Sequence, residues 1–139
     1  GPIPDFSSAT DNWATLDLPY LFETAEDAYK VLDGEIGQSL LDEFQGSGIK
    51  AIGFWENGFR ELTNNTKEVA TPADLAGMKI RTMENAVHMA TYTALGATPT
   101  AMAWGEIFSA LQQGTVDGQE NPLAIILTAK YMRFRNISP

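Results

Sequence analysis

The chain has 139 residues, 18 of them acidic and 9 basic, which gives a formal net charge of −9. Such a field repels nucleic acid and anionic lipid, so neither is expected as a partner. The absence of cysteine excludes disulfides, thiol catalysis and zinc–thiolate sites. No apolar run reaches the roughly 18 residues of a membrane span. We expect no leader peptide, and Gly1-Pro2 resembles the remnant of a cleaved expression tag.

The first half of the chain predicts two helices and a strand. Residues 3–22 lack a helical period and are expected to be extended or loop. Thr24 is followed by acids and predicts a helix that ends near Gly34. A second helix is predicted from about residue 35 to 45. The apolar run at residues 49–55 then predicts a buried strand.

The second half alternates strands and helices. An extended piece is expected at 59–64, and Thr71-Pro72 predicts the start of a short helix. Strands are predicted at 78–83, 98–102 and 115–118, and helices at 86–95, 104–113 and 122–130. This order is typical of an α/β fold with parallel β-α-β units and right-handed crossovers.

Three polar or aromatic residues fall at the ends of these predicted strands. Arg81 lies near the end of the first, Trp104 follows the second, and Asn121 follows the third. Ligands of parallel α/β sheets bind beyond the carboxyl ends of the strands. We therefore expect these three residues to converge on one crevice.

Two arginines are candidate anion ligands. Only four arginines exist, and an anion that binds to so acidic a chain needs a local cation. The planar guanidinium of Arg81 could grip a carboxylate through two parallel hydrogen bonds, and Arg60 could be a second cation. The alternative is that Arg81 pairs with a surface acid and that Arg60 is a surface residue after a turn.

Other polar and aromatic residues near these strand ends also allow two interpretations. Trp104 could line a pocket or cover the edge of the core. Asn121 could bind a carboxylate or hydroxyl, cap the last helix, or do both. Glu84 and Asn85 could read ligand hydroxyls or cap the helix that begins near Ala86.

An enzyme is a weaker hypothesis. Asp117 and Glu120 form a carboxylate pair that could do acid/base chemistry, or could bond within the turn predicted after residue 118. The single histidine, His88, is predicted to be a surface or packing residue. Signatures of hydrolases, nucleotide-binding loops and zinc proteases do not occur in the sequence. We therefore expect a binding protein with no cofactor and no metal site.

Several motifs occur in an order that is typical of one family. They are LDLPYLF at 16–22, WENGFR at 55–60, DLAGMKIR at 74–81, LGATP at 95–99, ALQQG at 110–114 and VDGQENP at 116–122. Through them, residues 13–130 resemble the DctP family, the extracytoplasmic solute-binding proteins of TRAP transporters.

This resemblance implies a fold and a function. Family members are two-lobed α/β proteins with a periplasmic-binding-protein-like fold that close on an organic carboxylate in the periplasm. They deliver it to the membrane subunits of a TRAP transporter, which an ion gradient drives. The resemblance implies that Arg81 clamps the carboxylate, Asn121 assists it and Trp104 lines the pocket. Arg60 would be a second arginine of the cleft, and Glu84 would tune the choice of ligand.

Only the central part of the family pattern is present, so the fold looks truncated. We expect residues 3–57 to form part of the first lobe and residues 58–130 the part of the second lobe that carries the ligand motifs. Residues 131–139 would be an atypical tail. The alternative to a carboxylate-binding module is a truncated fragment without ligand binding of its own that forms homo-oligomers through exposed sheet edges.

Overall fold

The computed structural model describes residues 11–134, which fall into two compact units. The first unit comprises residues up to Gly58, and the second begins at Phe59. The predictions for residues 3–10 and for the end of the tail lie outside the described residues. No helix among residues 11–134 is long and apolar enough to cross a membrane.

The secondary structure described in the first unit consists of helices. Its helices are α1 (Asp11–Ala14), α2 (Ala25–Leu32) and α3 (Glu35–Asp42), and a 3₁₀ turn at Thr15–Asp17 follows α1. The start of α2 is as predicted, because the Thr24 hydroxyl accepts a hydrogen bond from the Asp27 backbone N–H at 3.2 Å.

The prediction of an extended segment over residues 11–17 is wrong. These residues are helical, and packing of Trp13 accounts for the difference. The Trp13 ring lies 5.1 Å from the Phe44 ring, and its Nε1 donates to the Leu40 carbonyl at 2.9 Å. Contacts with residues about 30 positions away leave no periodic signal in the local sequence.

The buried strand predicted at residues 49–55 is also absent from the described structure. Ile52 is 90% exposed and Trp55 97% exposed, while the Phe54 ring stacks on Trp13 at 5.2 Å. A strand needs a partner for its backbone N–H and C=O groups. No strand of the described range pairs with this segment, so its apolar composition alone does not make it one.

The second unit contains a four-stranded sheet with the strand order β1-β4-β2-β3. Its strands are β1 (Arg60–Asn64), β2 (Lys79–Thr82), β3 (Thr98–Ala101) and β4 (Gly118–Pro122). Strand β2 is parallel to both β3 and β4, whereas β1 is antiparallel to β4. This confirms the α/β class and the parallel β-α-β arrangement from β2 onward.

Three α-helices and three 3₁₀ turns complete the second unit. The helices are α4 (Ala86–Ala94), α5 (Ile107–Gln113) and α6 (Leu123–Thr128), and the turns are Pro72–Leu75, Trp104–Glu106 and Tyr131–Phe134. Helix α5 ends as predicted at Gly114, whose φ of +69° is the left-handed conformation that glycine adopts at low cost. Buried apolar residues form two clusters, one around Ile107 and Val116 and one around Ile80.

The last strand lies later than predicted. Residues 115–117 form the approach to β4, where Val116 is fully buried and the Asp117 carboxylate accepts the Lys79 backbone N–H at 2.8 Å. The strand itself is the polar segment 118–122, which was predicted to be a turn. Asn121 therefore lies within β4 and not after it.

Strands β1 and β4 approach each other closely at Gly118. A Cβ atom added there would lie 2.5 Å from the Thr63 carbonyl oxygen and 2.8 Å from the Asn64 Cβ. Only glycine fits such an approach. The position thus fixes the register in which β4 carries its polar side chains past β1.

Candidate functional site

The first feature of the site is an ion pair between adjacent strands. Arg60, the first residue of β1, donates from Nε to one carboxylate oxygen of Glu120 and from Nη2 to the other at 2.9 Å. Its Nη2 also lies 3.0 Å from the Glu120 carbonyl oxygen and 3.5 Å from Oδ1 of Asn121. The Glu120 side chain is 2% exposed and that of Arg60 25%. This bidentate contact fixes the plane of the guanidinium.

Glu120 stays ionised although it is buried. Burial by itself raises the pKa of Glu120, but the interactions with His88 and with Arg60 outweigh it and lower the pKa below its ordinary value. The Nδ1 atom of His88 lies 3.7 Å from Oε1 of Glu120. Glu120 therefore neutralises Arg60 and holds it in place.

Arg81 is the second cation and is more deeply buried. It lies on β2, is 4% exposed, and donates to the Met102 carbonyl oxygen from Nε at 3.0 Å and from Nη2 at 2.7 Å. Burial lowers the pKa of Arg81, and the negative charge of Glu120 partly offsets this. The group nevertheless remains charged, because an arginine side chain keeps its proton in proteins. Met102 is its one hydrogen-bond partner among the described residues, so Nη1 is uncommitted.

A chain of amide hydrogen bonds runs along β4 and orients Asn121. The Gln119 Nε2 donates to the Thr63 hydroxyl at 2.7 Å, and the Asn121 Nδ2 donates to the Gln119 Oε1 at 2.6 Å. Gln119 is fully buried and Asn121 is 4% exposed. Because its nitrogen is held by Gln119, the Asn121 oxygen points toward the donors of Arg60.

Trp104 lies at the carboxyl-terminal side of β3, in the 3₁₀ turn before α5. It is 46% exposed, and its ring centroid is 5.6 Å from that of the buried Tyr131. Burial raises the pKa of Tyr131, while the charge of Arg81 acts in the opposite direction. Tyr131 therefore links the Trp104 ring to the surroundings of Arg81.

The remaining candidates have other partners or face solvent. Glu84 is exposed in the loop after β2, and its negative charge acts to raise the pKa of Arg81. Asn85 caps α4, because its side-chain oxygen accepts the backbone N–H groups of Val87 and His88 at 2.9 and 3.1 Å.

The proposed acid/base pair does not form a shared site. Asp117 binds the Lys79 backbone, and Glu120 binds Arg60, so each carboxylate has a structural partner of its own. Within residues 11–134 no cluster of three His, Asp or Glu side chains could hold a metal ion. The described part of the site therefore offers fixed cations and amides.

Sequence reasoning missed two features of the site. Glu120 was not recognised as the partner of Arg60, although its position in a polar run bounded by Gly118 and Pro122 is the signal that could have drawn attention to it. His88 was predicted to be a surface or packing residue, but its side chain is 10% exposed and lies beside Glu120. The sequence offers no signal for that contact, because the two residues are 32 positions apart on different elements.

The family of the chain follows from its similarity to known proteins. The chain matches the DctP family, bacterial extracellular solute-binding protein family 7, over residues 3–137. A solute-binding protein of Verminephrobacter eiseniae is 53% identical over 131 residues, which cover 94% of this chain and 38% of that protein.

Two solved structures are also similar. A TRAP periplasmic solute-binding protein from Polaromonas sp. JS666, bound to D-erythronate, is 46% identical with a TM-score of 0.90 over 94% of this chain and 43% of its own. One from Sulfurospirillum deleyianum with bound succinate is 42% identical, also with a TM-score of 0.90, over 94% of this chain and 42% of its own.

The chain belongs to the DctP family of solute-binding proteins. The resemblance found in the ordered motifs is thereby confirmed, and so is the periplasmic-binding-protein-like α/β fold class. The chain spans about two fifths of the length of these relatives.

Proposed function

We propose that this chain carries the anion site of a periplasmic solute-binding protein that captures a small organic carboxylate and delivers it to the membrane subunits of a TRAP transporter. The relatives support the class of ligand, because the Polaromonas protein holds D-erythronate and the Sulfurospirillum protein holds succinate. Both ligands are small acids that offer at least one carboxylate.

The observation that supports the proposal most strongly is the burial and incomplete hydrogen bonding of Arg81. One edge of its guanidinium is fixed by the Met102 carbonyl, and Nη1 on the other side is uncommitted among the described residues. A cation that is 4% exposed and donates no hydrogen bond to a carboxylate of residues 11–134 is costly unless an anion completes its hydrogen bonding. A ligand carboxylate would supply that anion.

The charges of the site support a small anion. Arg60 and Arg81 contribute two positive charges and Glu120 one negative charge, while the second acid, Glu84, is exposed to solvent. The groups of the site that are not exposed therefore carry an excess of one positive charge. In this proposal Arg81 clamps the carboxylate, and Asn121 and Arg60 add hydrogen bonds to it. Trp104 packs on the carbon skeleton of the ligand, and Glu84 receives its hydroxyl groups.

The proposal also assigns the two units to lobes. Residues 3–57 would contribute to the first lobe, and residues 58–130 would form the part of the second lobe that carries the anion site. The remaining contacts of the ligand would then come from outside residues 58–130. Binding would therefore be weaker for this chain than for the product of the full-length gene.

The test is isothermal titration calorimetry with D-erythronate and succinate on the full-length gene product. We expect Arg81→Ala to lose at least about tenfold in affinity, because a hydrogen bond to a charged group is worth roughly 1.5–3 kcal/mol. Arg133→Ala is the matched control, since Arg133 is exposed and should leave the affinity unchanged. Equal affinities for Arg81→Ala and the wild type would contradict the clamp.

A second preparation, the 139-residue chain, tests the alternative, a self-associating fragment. Light scattering on the 139-residue chain, with melting scans at several concentrations, separates the two ideas. A melting temperature that rises with protein concentration but does not change when carboxylates are added favours association. A rise with added carboxylate at constant protein concentration supports the binding site.

A further inference from the structure

We propose that His88 is a positioning residue of the anion site, which holds the Glu120 carboxylate in the orientation that presents Arg60 to the ligand. The inference rests on the proposed function, because it concerns the same site. It goes further in naming a residue on α4 that touches no ligand and acts through Glu120.

The backbone of His88 is fixed before its side chain acts. His88 lies in the first turn of α4, where its N–H donates to the side-chain oxygen of Asn85 at 3.1 Å. Asn85 also binds the Val87 N–H, so the cap orders the whole first turn. The ordered first turn restricts the directions in which the His88 side chain can extend, and this side chain is 10% exposed.

The imidazole of His88 and the guanidinium of Arg60 both approach one carboxylate oxygen of Glu120. Oε1 of Glu120 lies 3.7 Å from Nδ1 of His88 and 2.9 Å from Nη2 of Arg60. The other oxygen accepts from Nε of Arg60. Glu120 thus has Arg60 on the β1 side and His88 on the α4 side, and a shift of either one changes how the carboxylate faces the other.

The charge on His88 therefore alters how strongly Glu120 holds Arg60. Among the described residues, the charged and titratable groups that interact with Glu120 are Arg60 on β1, Arg81 on β2 and His88 on α4. Glu84 in the β2–α4 loop and Tyr131 after α6 interact with Arg81. When His88 is protonated it shares the negative charge of Glu120, and Arg60 is freer to bind a ligand carboxylate. When His88 loses its proton, the guanidinium groups carry more of the negative charge of Glu120, which then competes with the ligand for Arg60.

Ligand affinity should therefore depend on pH in one direction. A free histidine changes charge near pH 6.5, while a small aliphatic carboxylate stays ionised above about pH 5. The affinity for D-erythronate should then fall as the pH rises from about 5.5 to 8.5. A fall of roughly five- to tenfold is expected for one charge at this distance in a partly buried site.

The first experiment measures the contact without any ligand. In the full-length gene product, the imidazole resonance of His88 is the one that is missing from the spectrum of His88→Asn. We expect Glu120→Gln to move the titration midpoint of that resonance to lower pH, because an adjacent carboxylate favours the protonated imidazole. Glu61→Gln, the same change at an exposed position of β1, is the control and should leave the midpoint in place.

The second experiment measures D-erythronate binding by calorimetry at pH 5.5, 7.0 and 8.5. His88→Asn keeps an N–H donor near the position of Nδ1 but cannot titrate, so its affinity should not vary with pH. His88→Leu removes the donor and should bind more weakly than His88→Asn throughout. A His88→Asn profile as steep as that of the wild type would overturn the inference.

The outcomes separate the two proposals. If the wild type binds no carboxylate at any pH, the proposed function fails, and the resonance experiment still decides whether Glu120 and His88 interact. If the wild type binds and the midpoint of His88 is the same in Glu120→Gln, the positioning role fails and the proposed function stands. Should one His88 variant not fold by circular dichroism, the other one supplies the assignment of the His88 resonance, and the comparison of Glu120→Gln with the wild type then decides.

Discussion

The guanidinium of Arg81 reaches the Met102 carbonyl oxygen with two donors, Nε at 3.0 Å and Nη2 at 2.7 Å. This contact joins β2 to the segment that follows β3, at the carboxyl ends of two parallel strands. It fixes the plane in which the uncommitted side of the guanidinium lies. Arg81 is therefore positioned by backbone and not by a second charged side chain, which leaves its own charge available.

The two-donor contact predicts that Arg81→Lys does not preserve binding. Lysine keeps the positive charge but has one nitrogen, which cannot hold the Met102 carbonyl and a ligand carboxylate in the same fixed plane. We expect Arg81→Lys to lose about tenfold in carboxylate affinity by calorimetry. An affinity equal to that of the wild type would mean that charge alone suffices.

Gly118 predicts a second result, which concerns stability. In Gly118→Ala the new Cβ would meet the Thr63 carbonyl at 2.5 Å, and backbone cannot move aside as a flexible side chain can. We expect a loss of about 2 kcal/mol in the free energy of unfolding, measured with denaturant. Gly105→Ala is the matched control, because nothing lies within 4 Å of its added Cβ and its φ is not positive.

A third prediction concerns acid stability. The pKa of Glu120 is lowered in the folded protein, so its ionised form stabilises the fold above the ordinary value of 4.5. That stability is lost as the pH falls through the lowered pKa. Glu120→Gln should cost about 3 kcal/mol at pH 7, near the lower end for a broken buried pair because Arg60 keeps some exposure.

The measurement is the free energy of unfolding from pH 7 down to pH 3. The wild type should lose stability over the acid range, and Glu120→Gln should show a shallower slope there because it lacks this titrating group. Parallel slopes in the two proteins would show that Glu120 does not contribute to acid unfolding.

Trp104 gives a prediction about affinity alone. Its ring is 46% exposed, so Trp104→Ala should change the free energy of unfolding little. We expect the affinity for D-erythronate, whose carbon skeleton would pack on the indole, to fall about fivefold, as for the loss of one aromatic contact. Trp104→Phe keeps a ring and serves as the control. Unchanged affinity in Trp104→Ala would place the indole outside the site.

Local signals in the sequence predicted most of the second unit. The Thr71-Pro72 start, the glycine after α5 and the order of strands and helices from residue 78 onward depend on neighbours in the chain, and the structure contains them all. The positions of Arg81 and Trp104 at strand ends follow from that order. Such features are encoded within about ten residues and can be read without knowing the fold.

Features that depend on distant partners were not predictable. The polar composition of residues 118–122 indicates a turn, because a buried polar strand is unfavourable unless its side chains find hydrogen bonds. Those bonds come from Arg60 and Thr63 on β1. Residues 49–55 show the reverse error. This apolar segment was predicted to be a strand, but no strand in the described range pairs with it. In both cases the partner, and not the composition, decides.

The sheet order has a consequence for how the protein is made. Of the four described strands, β4 is the last to be synthesised, yet it lies between β1 and β2. Arg60 leaves the ribosome 60 residues ahead of Glu120, and until then β1 has no neighbour with which to pair. Pairing β1 with β4 closes a loop of 60 residues, which costs conformational entropy. In a nascent chain β1 should therefore join the sheet, and Arg60 the anion site, only when β4 has been synthesised.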